Sequence, residues 1–167
     1  MHESIIPLQN LGWRIVENTT LTIPEFINIR YGELPAAWVD RFAHIECCED
    51  PCDQAWFITP LDMHGTSGSA FAWNEAEKQS LDAAQGYIEW ANEVTEYWDA
   101  HLPIMFSVAN GYETWALCLQ GANVGKIIHS TESEYEEGSV VADSLNQFIN
   151  MVARQSNISG RDTAAKS

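Results

Sequence analysis

Two short segments of this chain carry the side chain types that most often do chemistry. The first, residues 47–53 with the sequence CCEDPCD, holds three cysteines, and His44 lies just before it. Thiolate and imidazole groups bind zinc, but the segment lacks a second pair of the C-x2-C or H-x3-H kind, and its carboxylates favour harder cations. We therefore favour free thiols near a helix end over a zinc site.

The second segment, residues 64–69 with the sequence HGTSGS, invites comparison with the nucleophile elbow of a hydrolase. An elbow needs G-x-S-x-G between a buried strand and a helix. Around Ser67 the flanking positions are Gly65 and Ser69, so one glycine is missing, and no Asp-then-His order follows. We favour a flexible loop here, and we interpret His129 as a sheet residue rather than a general base. The sequence predicts no enzyme and no cofactor.

Negative charge dominates the composition. The 167 residues include 8 Lys and Arg against 24 Asp and Glu, for a net charge of −16. Between Phe42 and Gly125 the only Lys or Arg is Lys78, beside 13 acidic residues. Such a surface repels nucleic-acid phosphates and anionic lipids, and it accelerates encounter with a basic partner. We expect no nucleic acid and no membrane partner; simple solubility is the alternative to a basic protein partner.

A helix predicted over residues 75–98 concentrates this charge. At 100° per residue, Glu75, Asp82, Glu89, Glu93 and Glu96 fall within a sector of about 60°, whereas an apolar set falls opposite. The apolar set is Ala84, Tyr87, Ile88, Ala91, Val94 and Trp98. Gly86 either kinks this helix or splits it, at a cost of about 1 kcal/mol relative to alanine.

The acidic row has almost no lysine or arginine at the i+4 positions that would stabilise it. An uncompensated row of like charges lowers stability, which points to a use outside the fold, although a solvated helix face is the plain alternative. Aromatic anchors are typical of protein interfaces, and Trp90 and Tyr97 lie at the edge of the row. The predicted partner-binding residues are Glu49, Asp50, Asp53, Glu89, Trp90, Glu93 and Glu96.

The elements that must position these residues are organised around residues 101–121, HLPIMFSVANGYETWALCLQG. Two apolar runs flank Asn110-Gly111, a dipeptide typical of tight β-hairpin turns. The second run carries large and small apolar side chains in alternation, which indicates a strand covered on both faces. Residues 125–130 predict a third strand, and residues 141–152 predict a helix that packs on the sheet.

Upstream segments complete an α+β unit. We predict an edge strand over residues 12–16 and a helix that begins at a Thr22–Glu25 capping box and ends at Gly32. A second helix follows Leu34-Pro35, then an acidic loop over 47–53, a strand over 56–59 and a loop over 62–70. The prediction is one domain over residues 1–153 with a flexible C-terminal tail over 154–167.

The sequence also bears on cellular location. Its first ten residues have neither the basic start nor the apolar run of a signal peptide, and no stretch approaches the roughly 18 apolar residues of a membrane span. Four cysteines in a chain of this length are too few for a disulfide framework. We therefore expect a cytoplasmic protein.

Several motifs of this chain match those of a known family. The motifs are Glu33-Leu34-Pro35-x-x-Trp38-x-x-x-Phe42, residues 102–111 (LPIMFSVANG), and residues 125–128 (GKII) with 141–149 (VADSLNQFI). They are similar, in that order, to the opening helix, the central strand and turn, and the closing segments of the SUKH superfamily, which the chain resembles over residues 30–152. The chain departs from the family in its long acidic helix and in the spacing of Gly111-Tyr112-Glu113.

The resemblance implies a twisted antiparallel sheet flanked by helices, without catalysis. Bacterial members of that family are largely immunity proteins that neutralise toxins, often nucleases, by binding them; fungal relatives are regulators of cell-wall signalling. The resemblance carries no binding residue over to this chain. Together with the acidic surface it predicts an immunity protein that binds a basic toxin domain, with a non-catalytic adaptor or regulatory domain as the alternative. The oligomeric state is left open.

Overall fold

Each strand of the sheet pairs with the strand that follows it in sequence. The structure is a computed structural model, and it describes the backbone of residues 1–165 and the side chains of residues 1–155. In that part of the chain a single antiparallel sheet has the order β1-β2-β3-β4-β5-β6-β7. The strands are β1 (Arg14–Glu17), β2 (Ile45–Glu49), β3 (Ala55–Phe57), β4 (His101–Ser107), β5 (Glu113–Cys118), β6 (Ile127–Thr131) and β7 (Ser139–Ala142).

Helices occupy the connections and the C-terminal part of the chain. They are α1 (Ile6–Asn10), α2 (Glu25–Tyr31), α3 (Ala36–Phe42), α4 (Pro60–His64), α5 (Glu75–Ala83), α6 (Ile88–Asp99) and α7 (Leu145–Ala165). Single 3-10 turns cover Glu3–Ile5 and Tyr135–Glu137. The predicted α+β class in one domain, with an antiparallel sheet flanked by helices, is confirmed.

One face of the sheet packs against α7 and α3. Phe148 of α7 lies 6.0 Å from both Phe57 and Trp115, measured between ring centroids, and Phe42 of α3 stacks on Phe57 at 5.0 Å. Burying a large apolar side chain stabilises the folded state by about 1.5–3 kcal/mol. These aromatic rings are the centre of the main core.

The opposite face packs against α5, α6 and the turn before β7. Ala116 of β5 forms a second buried cluster there with Val94 and Trp98 of α6 and with Tyr135. Because neighbouring strand residues point to opposite faces, Trp115 and Ala116 contact different helices. The prediction that β5 is covered on both faces is confirmed.

The central hairpin follows the sequence prediction and the last helix does not. Strands β4 and β5 pair antiparallel across the Asn110-Gly111 turn, where Gly111 has φ +81°. Val141 and Ala142, which we predicted at the start of the last helix, instead belong to the edge strand β7, which the sequence analysis missed. Helix α7 begins at Leu145, after Ser144 Oγ accepts a hydrogen bond from the Gln147 amide at 3.1 Å.

Two helix starts differ from prediction. Helix α2 ends at Gly32 as expected, but its N-cap is Pro24 without a side-chain hydrogen bond, so the Thr22–Glu25 capping box is wrong. A capping box instead joins Thr59, which we predicted at the end of a strand, to Asp62, and the resulting helix α4 overlaps the start of the loop predicted over 62–70. Thr59 can cap because it has extended dihedral angles and Pro60 follows at the first helical position.

The C-terminal tail predicted over residues 154–167 overlaps the second half of α7. The helix runs past Arg154 to Ala165. Residues 166 and 167, and the side chains from residue 156 onward, lie outside the described part of the chain. The flexibility of this segment stays a prediction.

Candidate protein-binding surface

The predicted acidic helix is divided into α5 and α6. Gly86 has φ +87°, a left-handed conformation that interrupts a right-handed helix. The Tyr87 amide then donates to the Ala84 carbonyl at 2.9 Å, which closes the turn, and α6 begins at Ile88. Of the two alternatives that the sequence left open at Gly86, the structure has the split.

The split changes which side chains are buried. Val94, Trp98 and Ala84 are buried as predicted. Tyr87 and Ile88, which we assigned to the same buried side, are 66% and 78% exposed, so that assignment is wrong. The prediction projected one continuous helix, whereas Tyr87 precedes α6 and Ile88 opens its first turn, beyond the edge of the second cluster.

A mixed aromatic and acidic surface results at the outer side of α6. We call it the α6 surface and define it as Tyr87, Ile88, Glu89, Trp90, Glu93 and Glu96. Trp90 is 44% exposed, and its ring lies 6.2 Å from that of Tyr87. Glu89, Glu93 and Glu96 are exposed, and none of them forms an ion pair or a side-chain hydrogen bond with another described residue. Large exposed apolar groups within a polar rim are typical of protein interaction sites.

The other members of the predicted acidic row do not belong to this surface. Asp82 lies on α5, before the break. Glu75 begins α5 and accepts a hydrogen bond from the Ala72 amide at 2.8 Å. The row of five carboxylates is thus reduced to three on α6.

The inner side of α6 is held firmly. Trp98 Nε1 donates to Glu136 Oε2 at 3.0 Å, and Ser80 Oγ of α5 donates to the same oxygen at 2.9 Å. Burial raises the pKa of Glu136 above its usual range, against the effect of these two hydrogen bonds. The Tyr97 ring stacks on His101 at the entrance to β4, with centroids 4.0 Å apart. A helix fixed in this way presents its outer residues with little loss of conformational entropy on binding.

The second predicted group, Glu49, Asp50 and Asp53, lies in the β2–β3 hairpin. Residues 47–49 are part of β2 and not of a loop, so the loop predicted over 47–53 is reduced to a turn over 50–54. Asp50 Oδ1 accepts hydrogen bonds from the amides of Gln54 at 2.7 Å and Ala55 at 3.1 Å. Asp50 therefore closes the hairpin turn.

Glu49 is also engaged within the protein. It accepts hydrogen bonds from the Cys47 thiol and from Arg14, each at 2.8 Å. These contacts hold the pKa of Glu49 below its usual range, with the Cys47 bond the larger cause, while the neighbouring Glu49 raises the pKa of Asp53. The hairpin carboxylates thus have intramolecular partners that the α6 carboxylates lack.

The predicted partner-binding residues of the β2–β3 hairpin and those of α6 do not lie in one surface. The turn of the hairpin ends at Ala55, the first residue of β3, which pairs with Ser107 at the C-terminal end of β4. Helix α6 instead leads into β4 at the other end of that strand, at His101. Within the described residues no hydrogen bond or ion pair connects the hairpin to α6. Glu89, Trp90, Glu93 and Glu96 do form one surface.

The cysteine and serine segments have ordinary contacts. Cys47 and Cys48 are neighbours on β2 and so point to opposite faces, and burial raises the pKa of Cys47 to about 12. Among the described residues no three His, Cys, Asp or Glu side chains are grouped to hold a metal ion. Ser67 Oγ accepts from the Ser69 amide, and His64 Nε2 donates to the Thr22 carbonyl at 2.7 Å rather than to Ser67.

Sequence reasoning missed Tyr87 and Ile88 as surface residues. Gly86 was the available signal, because a glycine shortly after a helical stretch commonly takes the left-handed conformation that ends a helix.

Within the described residues no helix has both the length and the apolar character that crossing a bilayer requires. Comparison of the chain with family models, curated proteins and solved structures gives no match.

Proposed function

We propose that this chain is an immunity-type inhibitor that binds a basic toxin domain, such as a nuclease, through the α6 surface in the cytoplasm. The observation that carries the proposal is the exposed Tyr87–Trp90 pair on a helix that also exposes Ile88 and three carboxylates without partners among the described residues. The SUKH resemblance of residues 30–152 points to the same function and stays a prediction. A non-catalytic adaptor without a toxin partner is the alternative outcome of the test below.

Aromatic side chains in the α6 surface supply the affinity in this proposal. Hot spots of protein interfaces are enriched in tryptophan and tyrosine, and truncating one typically costs 2 kcal/mol or more. Trp90 is the aromatic residue that the sequence analysis predicted in this surface, and Tyr87 packs beside it. The pair offers a rigid apolar contact area at low entropy cost.

In this proposal the carboxylates of the α6 surface determine the specificity for a basic partner. Glu89, Glu93 and Glu96 lie on one side of α6 at spacings of four and three residues. A row of unpaired carboxylates attracts a cationic surface and repels acidic competitors, which raises the association rate and the specificity. Nucleic-acid-cleaving domains are basic where they bind phosphates, so such a face complements this row.

Co-expression tests the proposal directly. The chain is produced together with the toxic C-terminal domain encoded in the adjacent reading frame, and host growth and co-purification of the pair are measured. We expect rescue of growth and a stable complex. Trp90→Ala should weaken the complex at least about 30-fold, which corresponds to 2 kcal/mol.

A charge-matched control separates location from total charge. The variant Glu89→Gln/Glu93→Gln/Glu96→Gln removes three charges from the α6 surface. The control Glu33→Gln/Asp40→Asn/Glu134→Gln removes three from exposed positions elsewhere. Only the first should slow association strongly at low salt. Equal effects would remove the α6 surface from the proposal, and killing that the wild-type chain does not prevent would leave the adaptor alternative.

A further inference from the structure

A cleft lies on the sheet face opposite to α6. Its volume is about 740 Å³, within the range of about 300–1,000 Å³ that is typical of small-molecule sites. It opens between the β2–β3 turn, the β4–β5 turn and the middle of α7. Trp115 lines the cleft while its neighbour Ala116 packs against α6, so the cleft and the α6 surface are on different faces.

Apolar and aromatic side chains form one side of the cleft. They are Trp13, Met105, Trp115, Phe148 and Met151. The Trp115 ring lies 6.0 Å from the Phe148 ring and 4.9 Å from the His129 ring, measured between centroids. A planar apolar group entering the cleft would contact faces and edges of rings that are already fixed by the core.

A carboxylate stands at the polar end of the cleft. Glu113 Oε2 is 2.6 Å from His129 Nε2. A carboxylate can only accept, so the imidazole nitrogen donates to it. The other oxygen, Oε1, has no hydrogen-bond partner among the described residues, although the Glu113 side chain is only 17% exposed. A half-buried carboxylate with a free acceptor favours a charged donor.

Carboxylates line the cleft beside the His129 imidazole. They are Asp50 and Glu113, and no Lys or Arg of the described residues lines it. The imidazole contacts one oxygen of Glu113 and leaves the other accessible to a ligand. Indole faces attract cations through their quadrupole, so Trp115 adds to the same preference.

We propose that this cleft binds a small organic cation with an aromatic or aliphatic body and a protonated amine. The amine donates to Glu113 Oε1, and the apolar body lies between Trp115 and the Trp13–Met151 side. This site is independent of the α6 surface and of the proposed function, because it uses other residues on the other sheet face.

Three matched probes test the cleft. 2-(1-Naphthyl)ethylammonium carries the cation, 2-(1-naphthyl)ethanol is the neutral match, and 1-naphthaleneacetate carries the opposite charge. Binding to the full chain is followed by NMR of the indole N–H signals. We expect saturable binding of the ammonium probe with shifts at Trp13 and Trp115, about tenfold weaker binding of the alcohol, and none of the acetate.

Variants locate the charge and the cavity. Glu113→Gln keeps a hydrogen-bond acceptor for His129, and it should bring the ammonium probe to the affinity of the alcohol, whereas Glu93→Gln should change nothing. Met151→Trp fills the cleft and should abolish binding of both. Equal affinity of ammonium and alcohol, an unchanged affinity in Glu113→Gln, or no binding of the ammonium probe would each overturn the proposal.

Discussion

Arg30 is the residue that ties three helices together. From α2 its Nε donates to Asp99 Oδ1 of α6 and its Nη1 donates to Glu77 Oε1 of α5, each at 2.8 Å, and its third nitrogen, Nη2, donates to the other Glu77 oxygen. The Glu77 side chain is only 5% exposed, so the two hydrogen bonds from the Arg30 guanidinium compensate its buried negative charge. The hydrogen bond with Glu77 raises the pKa of Arg30.

Removing the Arg30 guanidinium should be costly. Arg30→Ala leaves a buried carboxylate without its cation, and we expect the free energy of unfolding to fall by about 3 kcal/mol in chemical denaturation. Arg14→Ala is the matched control, because Arg14 pairs with Glu49 while 68% exposed and should cost less than about 1 kcal/mol. Similar losses in the two variants would contradict the role given to burial.

Glu136 should make stability depend on pH in the opposite direction from most carboxylates. Burial raises its pKa in the folded state above the unfolded value of 4.5, so the folded state binds the proton more tightly. Its contribution is therefore most favourable at acid pH and is lost as the pH rises from 4.5 through the folded pKa.

Glu136→Gln keeps an oxygen that accepts from Trp98 and Ser80 and removes the charge. We expect this variant to be more stable than wild type at pH 7, with the difference disappearing toward pH 4.5, in urea titrations over that range. Glu137→Gln, at the exposed neighbouring position, serves as control and should show no such difference. Lower stability of Glu136→Gln at pH 7 would contradict the interpretation.

At the scale of elements, the central hairpin was predictable from the sequence, whereas strands β2 and β7 and several helix ends were not. Strands β4 and β5 are specified locally, because Asn110-Gly111 fits a tight turn and apolar side chains flank it. Strand β7 could not be recognised, since Val141 and Ala142 fit a helical apolar pattern as well as a strand. Their pairing with β6 is a tertiary contact that no local pattern encodes.

The candidate site was predictable in part for the same reason. Helical spacing alone places Glu89, Glu93 and Glu96 on one side of α6. The exposure of Tyr87 and Ile88 depends on the backbone angle at Gly86, and the partners of Glu49 and Asp50 depend on how β2 pairs with its neighbours. Projecting the sequence onto one continuous helix predicts neither the backbone angle at Gly86 nor the pairing of β2.

The break between α5 and α6 yields its own prediction. Gly86→Ala forces a residue with a β-carbon into φ +87°, and no atom lies within 4 Å of the added group, so the cost is backbone strain alone. We expect a loss of about 1–2 kcal/mol in the free energy of unfolding. Gln85→Ala, at the exposed position before it, is the control and should be nearly neutral. A stabilising Gly86→Ala would indicate that α5 and α6 fuse into one helix.

At the scale of the whole molecule, a net charge of −16 opposes the folded state. Like charges held close in the compact state repel each other more than in the unfolded chain. The ionic atmosphere weakens this repulsion, since the Debye length falls from about 30 Å at 0.01 M salt to about 10 Å at 0.1 M.

We therefore expect the thermal midpoint to rise when NaCl is increased from about 10 mM to about 300 mM. The triple variant Glu89→Gln/Glu93→Gln/Glu96→Gln should be more stable at low salt, by up to about 1 kcal/mol for its two close pairs, and less sensitive to salt. The measurement is thermal unfolding by circular dichroism. A midpoint that falls with salt would mean that attractive pairs outweigh repulsion.

The order of the strands has a consequence for how the chain acquires its structure. A sheet in which every strand pairs with its successor can grow one strand at a time during synthesis, because each new strand pairs with the strand made before it. The face that receives α7 cannot be covered in the same way. The core residues on this face, Phe57, Phe42 and Trp115, are covered only after Phe148 has been synthesised. The growing chain therefore exposes its main apolar face until α7 leaves the ribosome. Nascent chains stalled before Leu145 should therefore be the substrates that chaperones bind.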